Sequence, residues 1–270
     1  MSGIFQLFTE IIGMKNIRLS GFFFTIVLLV LLPTGCTKLA SDYDETSTIS
    51  EILLGAEEAY EKEHFSRSAE IFLKVNEYFP YSDEARNALV KAIEAYHAGS
   101  DFHELRSLSK RFLALYPQDK NAPFAKYMIG MSHFEQIIDV ERDQGSTRDS
   151  IKEFSDLISL YPKSKYVALA RKNIRIAENQ LAGQEMAVGR YYLKKDNPLA
   201  ALKRFQTVAS QHKGTPFYPE SLYRMVETYL MMGVDRQALN AYNSLRNEFP
   251  DSKWASLASI LLRDSHLKES

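Results

Sequence analysis

The sequence predicts an all-α fold, an elongated superhelical solenoid of about five helix pairs, and three observations predict it. An aromatic-proline ending followed by a capping residue recurs at Phe79-Pro80-Tyr81-Ser82, Tyr116-Pro117-Gln118-Asp119, Tyr161-Pro162-Lys163-Ser164 and Phe249-Pro250-Asp251-Ser252. A degenerate copy at His212-Lys213-Gly214-Thr215 carries Lys213 in the proline slot. Twelve residues before each slot stand Ser68, Leu105, Ser150, Ala201 and Ala238, and eight before stand Phe72, Ser109, Phe154, Phe205 and Tyr242. Tyr96, Tyr192 and Tyr229 share one further offset.

Each of these has a physical reading. Proline cannot continue a helix, and Ser, Asp or Thr two residues on can cap the next one. A small residue lets two helices approach closely, and the ring four residues later fills the gap beside it. Small, aromatic and proline at these offsets match the tetratricopeptide consensus. The slots are 37, 45, 51 and 37 residues apart, against 34 in the standard repeat. The extra length falls in a loop around Val140–Arg148 and in a long helix from about Tyr166 to Lys195. In a solenoid each pair buries its apolar face only against its neighbours and leaves a concave surface for partners.

The body is preceded by an export signal. Lys15 and Arg18 lead into an apolar run from Gly21 to Leu32, then Pro33-Thr34-Gly35-Cys36. About twelve apolar residues are too few for a bilayer-spanning helix, so residues 1–35 read as a signal peptide, with Met14 the expected start. The small-Gly-Cys ending resembles the lipobox of bacterial lipoproteins, which implies a diacylated Cys36. Thr37 in place of aspartate implies outer-membrane sorting. More than one acyl chain is what stable anchoring needs. Residues 36–50 (Lys38 to Ser50 reads KLASDYDETSTIS) are expected to form a lipidated N-terminus and flexible tether, 51–165 units 1–3, 166–262 units 4–5, and 263–270 a tail.

Composition narrows the function. Hydrophobic residues make up 45% and charged residues 25%, ordinary for a folded chain, and the net charge of −1 offers no general attraction to nucleic acid. One cysteine rules out an intrachain disulfide framework or a multi-thiolate metal site. His64, His97, His103, His133, His212 and His266 show no HExxH or other ligand spacing, and no phosphate loop or serine elbow occurs. The expectation is a binding scaffold, not an enzyme, with no metal and no cofactor apart from the covalent lipid.

Over residues 36–262 the chain resembles the BamD family, tetratricopeptide lipoproteins of the machinery that inserts β-barrel proteins into the outer membrane. The resemblance rests on the lipidated N-terminus, five units, Asp143-Gln144 with Thr147, and Tyr-Pro-Lys-Ser-Lys-Tyr at 161–166. It also rests on Leu181-Ala182-Gly183-Gln184-Glu185 running into Gly189-Arg190-Tyr191-Tyr192, and on Ala200-Ala201 with Arg204. It implies a lipid-anchored scaffold on the periplasmic face of the outer membrane. The C-terminal units would meet the barrel-forming insertase BamA beside accessory lipoproteins, and the N-terminal units would meet unfolded outer-membrane proteins. Under this resemblance Arg204 is the candidate for docking a carboxylate of the insertase, with an intrachain ion pair as the alternative. Asp143, Gln144 and Thr147 are candidate contacts in the third-unit loop, or caps of helix ends. Tyr60, Phe65 and Phe79 are candidates for a substrate pocket, or core. The basic run Lys163, Lys165, Arg171, Lys172, Arg175 is either a partner face or a solvated one. A periplasmic adaptor recruiting peptidoglycan enzymes is the competing function.

Overall fold

The computed structural model describes residues 42–80, 82–137 and 144–265, within one compact unit spanning residues 39–270. The signal at 1–35, Cys36 and Asp143 lie outside the described residues. Eleven helices are described, and no strand among the described residues: α1 (Ile49–Glu61), α2 (Phe65–Tyr78), α3 (Asp83–Ala98), α4 (Phe102–Leu115), α5 (Ala122–Phe134), α6 (Gly145–Leu160), α7 (Tyr166–Lys194), α8 (Pro198–Gln211), α9 (Tyr218–Met231), α10 (Asp235–Glu248) and α11 (Lys253–Asp264). Helices adjacent in the chain pack on one another, so five pairs stack in chain order, and α11 closes the last against α9 and α10. This is the tetratricopeptide architecture the offsets predict.

The turns between pairs share one geometry. Phe79, Tyr116, Tyr161 and Phe249 end their helices at φ between −130° and −139° and ψ between 53° and 59°. His212, with no proline after it, sits at φ −126° and ψ 39°. In all five turns the amide three residues on donates back to that residue's carbonyl, from Ser82, Asp119, Ser164, Thr215 and Ser252, at 3.0–3.1 Å. Ser82 and Ser252 then cap α3 and α11 by accepting from the Ala85 and Ala255 amides. Ser82, Ser252 and Thr215 all donate their hydroxyls to the turn carbonyl, at 2.9, 2.8 and 2.8 Å, but Thr215 caps no helix, and Asn121, Lys165 and Phe217 take the cap positions of α5, α7 and α9.

Within four of the pairs the two helices are joined by a left-handed residue: Glu63, Ser100, Asp196 and Gly233, at φ of 59°, 57°, 55° and 70°. Each is followed by an amide that reaches back to the carbonyl of Ala59, Tyr96, Tyr192 or Tyr229 at 2.9 Å, the six-to-one bond of a Schellman ending. The tyrosines at the shared offset are thus the carbonyl acceptors of this turn. In the third pair residues 145–148, expected in a loop, already belong to α6. The Arg148 amide bonds the Gln144 carbonyl at 3.1 Å and the Thr147 hydroxyl donates to Gln144 Oε1 at 2.8 Å, which starts the helix early.

Packing follows the offsets. All five residues at the small position and all five at the ring position are buried. Opposite Phe154 and Phe205 stand Gly130 and Gly189, where a Cβ would overlap the ring. In the second pair the volumes are exchanged: Ser109 replaces the ring, and Ile93, at the position Gly189 holds in the fourth pair, is fully buried. The core divides along α7. Ala170 belongs with the first three pairs, and Ala182 and Met186 pack with Ala201 and Phe205 of the fourth. Side-chain bonds tie successive pairs, among them Arg111 to Asn76 at 2.7 Å, Arg106 to Ser132 at 3.0 Å and Gln206 to Tyr229 at 2.9 Å.

The stretch expected as a tether is tied to the body within residues 42–50, although most of those side chains are exposed. Tyr43 is buried, its carbonyl accepts from the Tyr78 hydroxyl at 3.1 Å, and Thr48 forms a capping box with Glu51 at the start of α1.

The packing and two half-buried histidines each carry a test. Gly189→Ala forces the helix pair apart and lowers stability by about 1–3 kcal/mol, whereas Gly214→Ala, with nothing near its Cβ, changes it little; thermal unfolding by circular dichroism separates the two. Burial pushes the His212 imidazole below its ordinary 6.5, against an opposing pull from Glu178 and Glu185, and burial does the same to His133. The unfolded chain therefore takes up these protons first on acidification, so stability is whole above that value and falls as pH drops below it. His212→Phe is expected to reduce, without abolishing, the loss between about pH 7.5 and about pH 5.5; denaturant midpoints that fall as steeply as in the parent chain contradict it.

Candidate functional site

The first helices of pairs one and two frame a groove of about 510 Å³. Its apolar surface comes from Leu54 and Tyr60 on α1 and from Phe72 of α2 at its base. Carboxylates rim it: Glu57, Glu58 and Glu61 from α1 and Glu94 from α3, with Lys91 the one cation in the lining. Leu54, Glu57, Glu58 and Glu61 share a face because residues three, four and seven apart on a helix stack in one stripe. Lys91 donates to Glu94 at 2.9 Å, and that bond holds its ammonium above the usual lysine value. Glu58 accepts from Lys62 at 2.6 Å, which lowers its carboxyl. Both cations nearest the rim are therefore already partnered, and the mouth of the groove keeps a negative bias.

Of the three residues expected at a pocket, Tyr60 lines the groove, exposed at 37%. Phe65 begins α2 and meets Tyr60 edge-on at 5.1 Å, outside the lining. Phe79 is the α2 C-cap and packs on the core. Leu54, Lys91 and Glu94 carried no signal by themselves in the sequence, since each reads as an ordinary residue of an amphipathic helix.

Gln144 and Thr147 are both buried and bonded to each other at the start of α6, so they hold that helix end. Arg204, on α8, pairs with Glu185 of α7 at 3.2 Å and keeps 41% of its side chain exposed. Nearby, Arg190 joins Glu220 at 3.1 Å, and Arg224 bonds Glu227 at 2.8 Å. The far end of the stack presents apolar groups: Leu257 and Ile260 on α11 are exposed at 42% and 45%, and Met231 at the end of α9 at 51%. Among the described residues no group of His, Cys, Asp and Glu is placed to hold a metal, and no helix is long and apolar enough to cross a membrane.

Residues 45–245, from the turn before α1 to within α10, match the YfiO family model, described as an outer membrane lipoprotein. The chain belongs to this family. Relatives include the outer membrane protein assembly factor BamD of Caulobacter vibrioides, 36% identical over 205 residues, covering 76% of this chain and 67% of the relative. The protein of the same name from Rickettsia prowazekii is 29% identical over 239 residues, covering 88% and 95%. That of Neisseria meningitidis is 25% identical over 248 residues, covering 87% and 93%. The family resemblance drawn from the repeat offsets and the third- and fourth-unit motifs is the one these comparisons show.

The Arg204–Glu185 pair is partly solvated, and such pairs contribute about 0–1 kcal/mol. Arg204→Ala is accordingly expected to leave the unfolding midpoint within a few degrees of the parent, so that any binding defect of an Arg204 variant is read as loss of contact and not of fold; a large drop on thermal melting contradicts this.

Proposed function

We propose that the chain is an outer-membrane protein assembly factor: a non-enzymatic, lipid-anchored scaffold of the β-barrel assembly complex. It holds the barrel-forming insertase through its C-terminal repeats and unfolded barrel proteins through its N-terminal repeats. The observation that carries the reading is the family match, which runs through nine complete helices and into the tenth. Anchoring is assigned to the lipidated Cys36, which stands six residues before the first described residue.

The two ends are chemically suited to different partners. The groove at pairs one and two offers an apolar floor to an aromatic or aliphatic side chain of an extended segment. Its four carboxylates favour segments flanked by Lys or Arg over a bare terminal carboxylate. At the other end, Arg204 offers a half-exposed guanidinium whose fork suits a carboxylate of the insertase. Its own partner Glu185 fixes the fork's position.

The test is a pull-down of the lipoprotein from detergent-solubilised membranes, read by mass spectrometry, with Arg204→Glu and the double variant Glu185→Arg/Arg204→Glu. Recovery of the insertase with the parent chain, its loss with Arg204→Glu and its continued loss with the double variant support docking through a cation at this position. Recovery restored by the double variant assigns Arg204 to the internal pair alone, and absence of the insertase from every sample overturns the complex.

A further inference from the structure

The geometry points to a third contact surface, the outer face of the first half of α7, built to take an acidic protein segment. Its origin is a mismatch of lengths. Helix α7 has 29 residues and its partner α8 has 14. The chain doubles back between them at Lys195–Asn197, so α8 lies along the second half of α7 only. The first half packs its buried residues Ala170, Asn173 and Ala177 inward, with Ala170 in the core of the first three pairs and Asn173 bonded to Tyr127 at 3.2 Å. Its other side has no helix of its own pair to cover it.

That side carries Arg171, Lys172 and Arg175, all exposed, together with Leu169 and Ile176, exposed at 47% and 46%. Around the helix at 100° per residue, Lys172 falls between the two apolar side chains and the two arginines. Residues 163–176 hold five cations and no acid, so a segment of net +5 sits in a chain of net −1. None of these cations forms an ion pair among the described residues, while Arg86, Lys126, Arg190, Arg204 and Arg224 all do.

Helix stability does not account for the charges. Positive groups belong at a helix C-terminus, where they meet the negative end of the dipole. Here Lys165 is the N-cap, and Arg171, Lys172 and Arg175 lie in the second and third turns of a 29-residue helix, far from its C-terminal end. The cations therefore gain nothing from the negative end of the dipole, no acid among the described residues pairs with them, and a complement for them would come from outside those residues.

A protein fits this face better than a lipid surface. The main apolar side of α7 is already packed against α5 and α6 and cannot be laid into a bilayer as an interfacial helix would lay its own. What remains is a small apolar centre bordered by cations, which matches a segment presenting one or two aliphatic side chains among carboxylates.

The experiment places a photo-crosslinking amino acid at Leu169 or at Ile176 in the full lipoprotein in living cells, with Leu115, exposed elsewhere, as the control position, and sequences the crosslinked peptide. The expected result is an adduct on a protein segment of net negative charge, obtained from Leu169 and Ile176 and not from Leu115, and reduced at least tenfold by Arg171→Glu/Lys172→Glu/Arg175→Glu. All three substitutions are on the surface, and circular dichroism verifies that the variant is folded. An adduct on lipid alone, an adduct on a neutral or basic segment, an adduct indifferent to the charge reversal, or none at all overturns the assignment.

Discussion

Everything in this molecule depends on how closely the two helices of a pair can approach. The second helix of a pair presents a ring, at Phe72, Phe154, Phe205 and Tyr242, and in the third and fourth pairs the first helix receives it on a bare glycine. Interiors are packed like organic crystals, so the ring is both the filler of the gap and the gauge of its width. The second pair meets the same requirement with the volumes reversed, Ile93 on one helix and Ser109 on the other. The large partner at the crossing thus need not be the ring of the second helix.

Stacking then requires every pair to leave at the same angle, and the backbone supplies that uniformity. The turn at His212 closes the same amide-to-carbonyl bond as the four proline turns and adopts nearly the same dihedrals. The hydrogen bonding of the turn is thus independent of proline, whose contribution is to restrict the unfolded chain and forbid continuation of the helix. The joints inside the pairs behave alike: only Gly233 is a glycine, and Glu63, Ser100 and Asp196 hold the left-handed position because the tertiary fold makes both flanking helices run into it.

The near-zero net charge conceals how unevenly the surface is charged. Carboxylates gather around the groove of the first two pairs, unpaired cations gather on the exposed half of α7, and the fourth and fifth pairs weave arginines and glutamates into internal ion pairs. Such segregation does little for the stability of the chain and much for the choice and orientation of partners. In this member of a family of outer membrane lipoproteins, the stack carries differently charged faces at different places along the chain.

The repeat is legible in the sequence because its determinants are local. Proline, a capping hydroxyl and a ring at set offsets each act within a dozen residues, so the number of pairs, the length of α7 and the buried positions can be read from the order of residues alone. The unpaired α11 and the early start of α6 are harder to read, since one rests on contacts with α9 and α10 and the other on a bond between Gln144 and Thr147. The site is less legible still. Tyr60 stands out as an aromatic, yet Phe65 and Phe79 carry the same signal and pack elsewhere. Leu54, Lys91 and Glu94 belong to the groove only because α1 and α3 come together, and Arg204 acquires Glu185 only across a helix pair. The repeating unit, its register and its family are thus properties of the sequence, because short-range sterics and backbone bonding set them. Which side chains share a surface, which charges find partners and which half of α7 stays uncovered are properties of the stack, because those depend on distances between residues that the chain keeps dozens of positions apart.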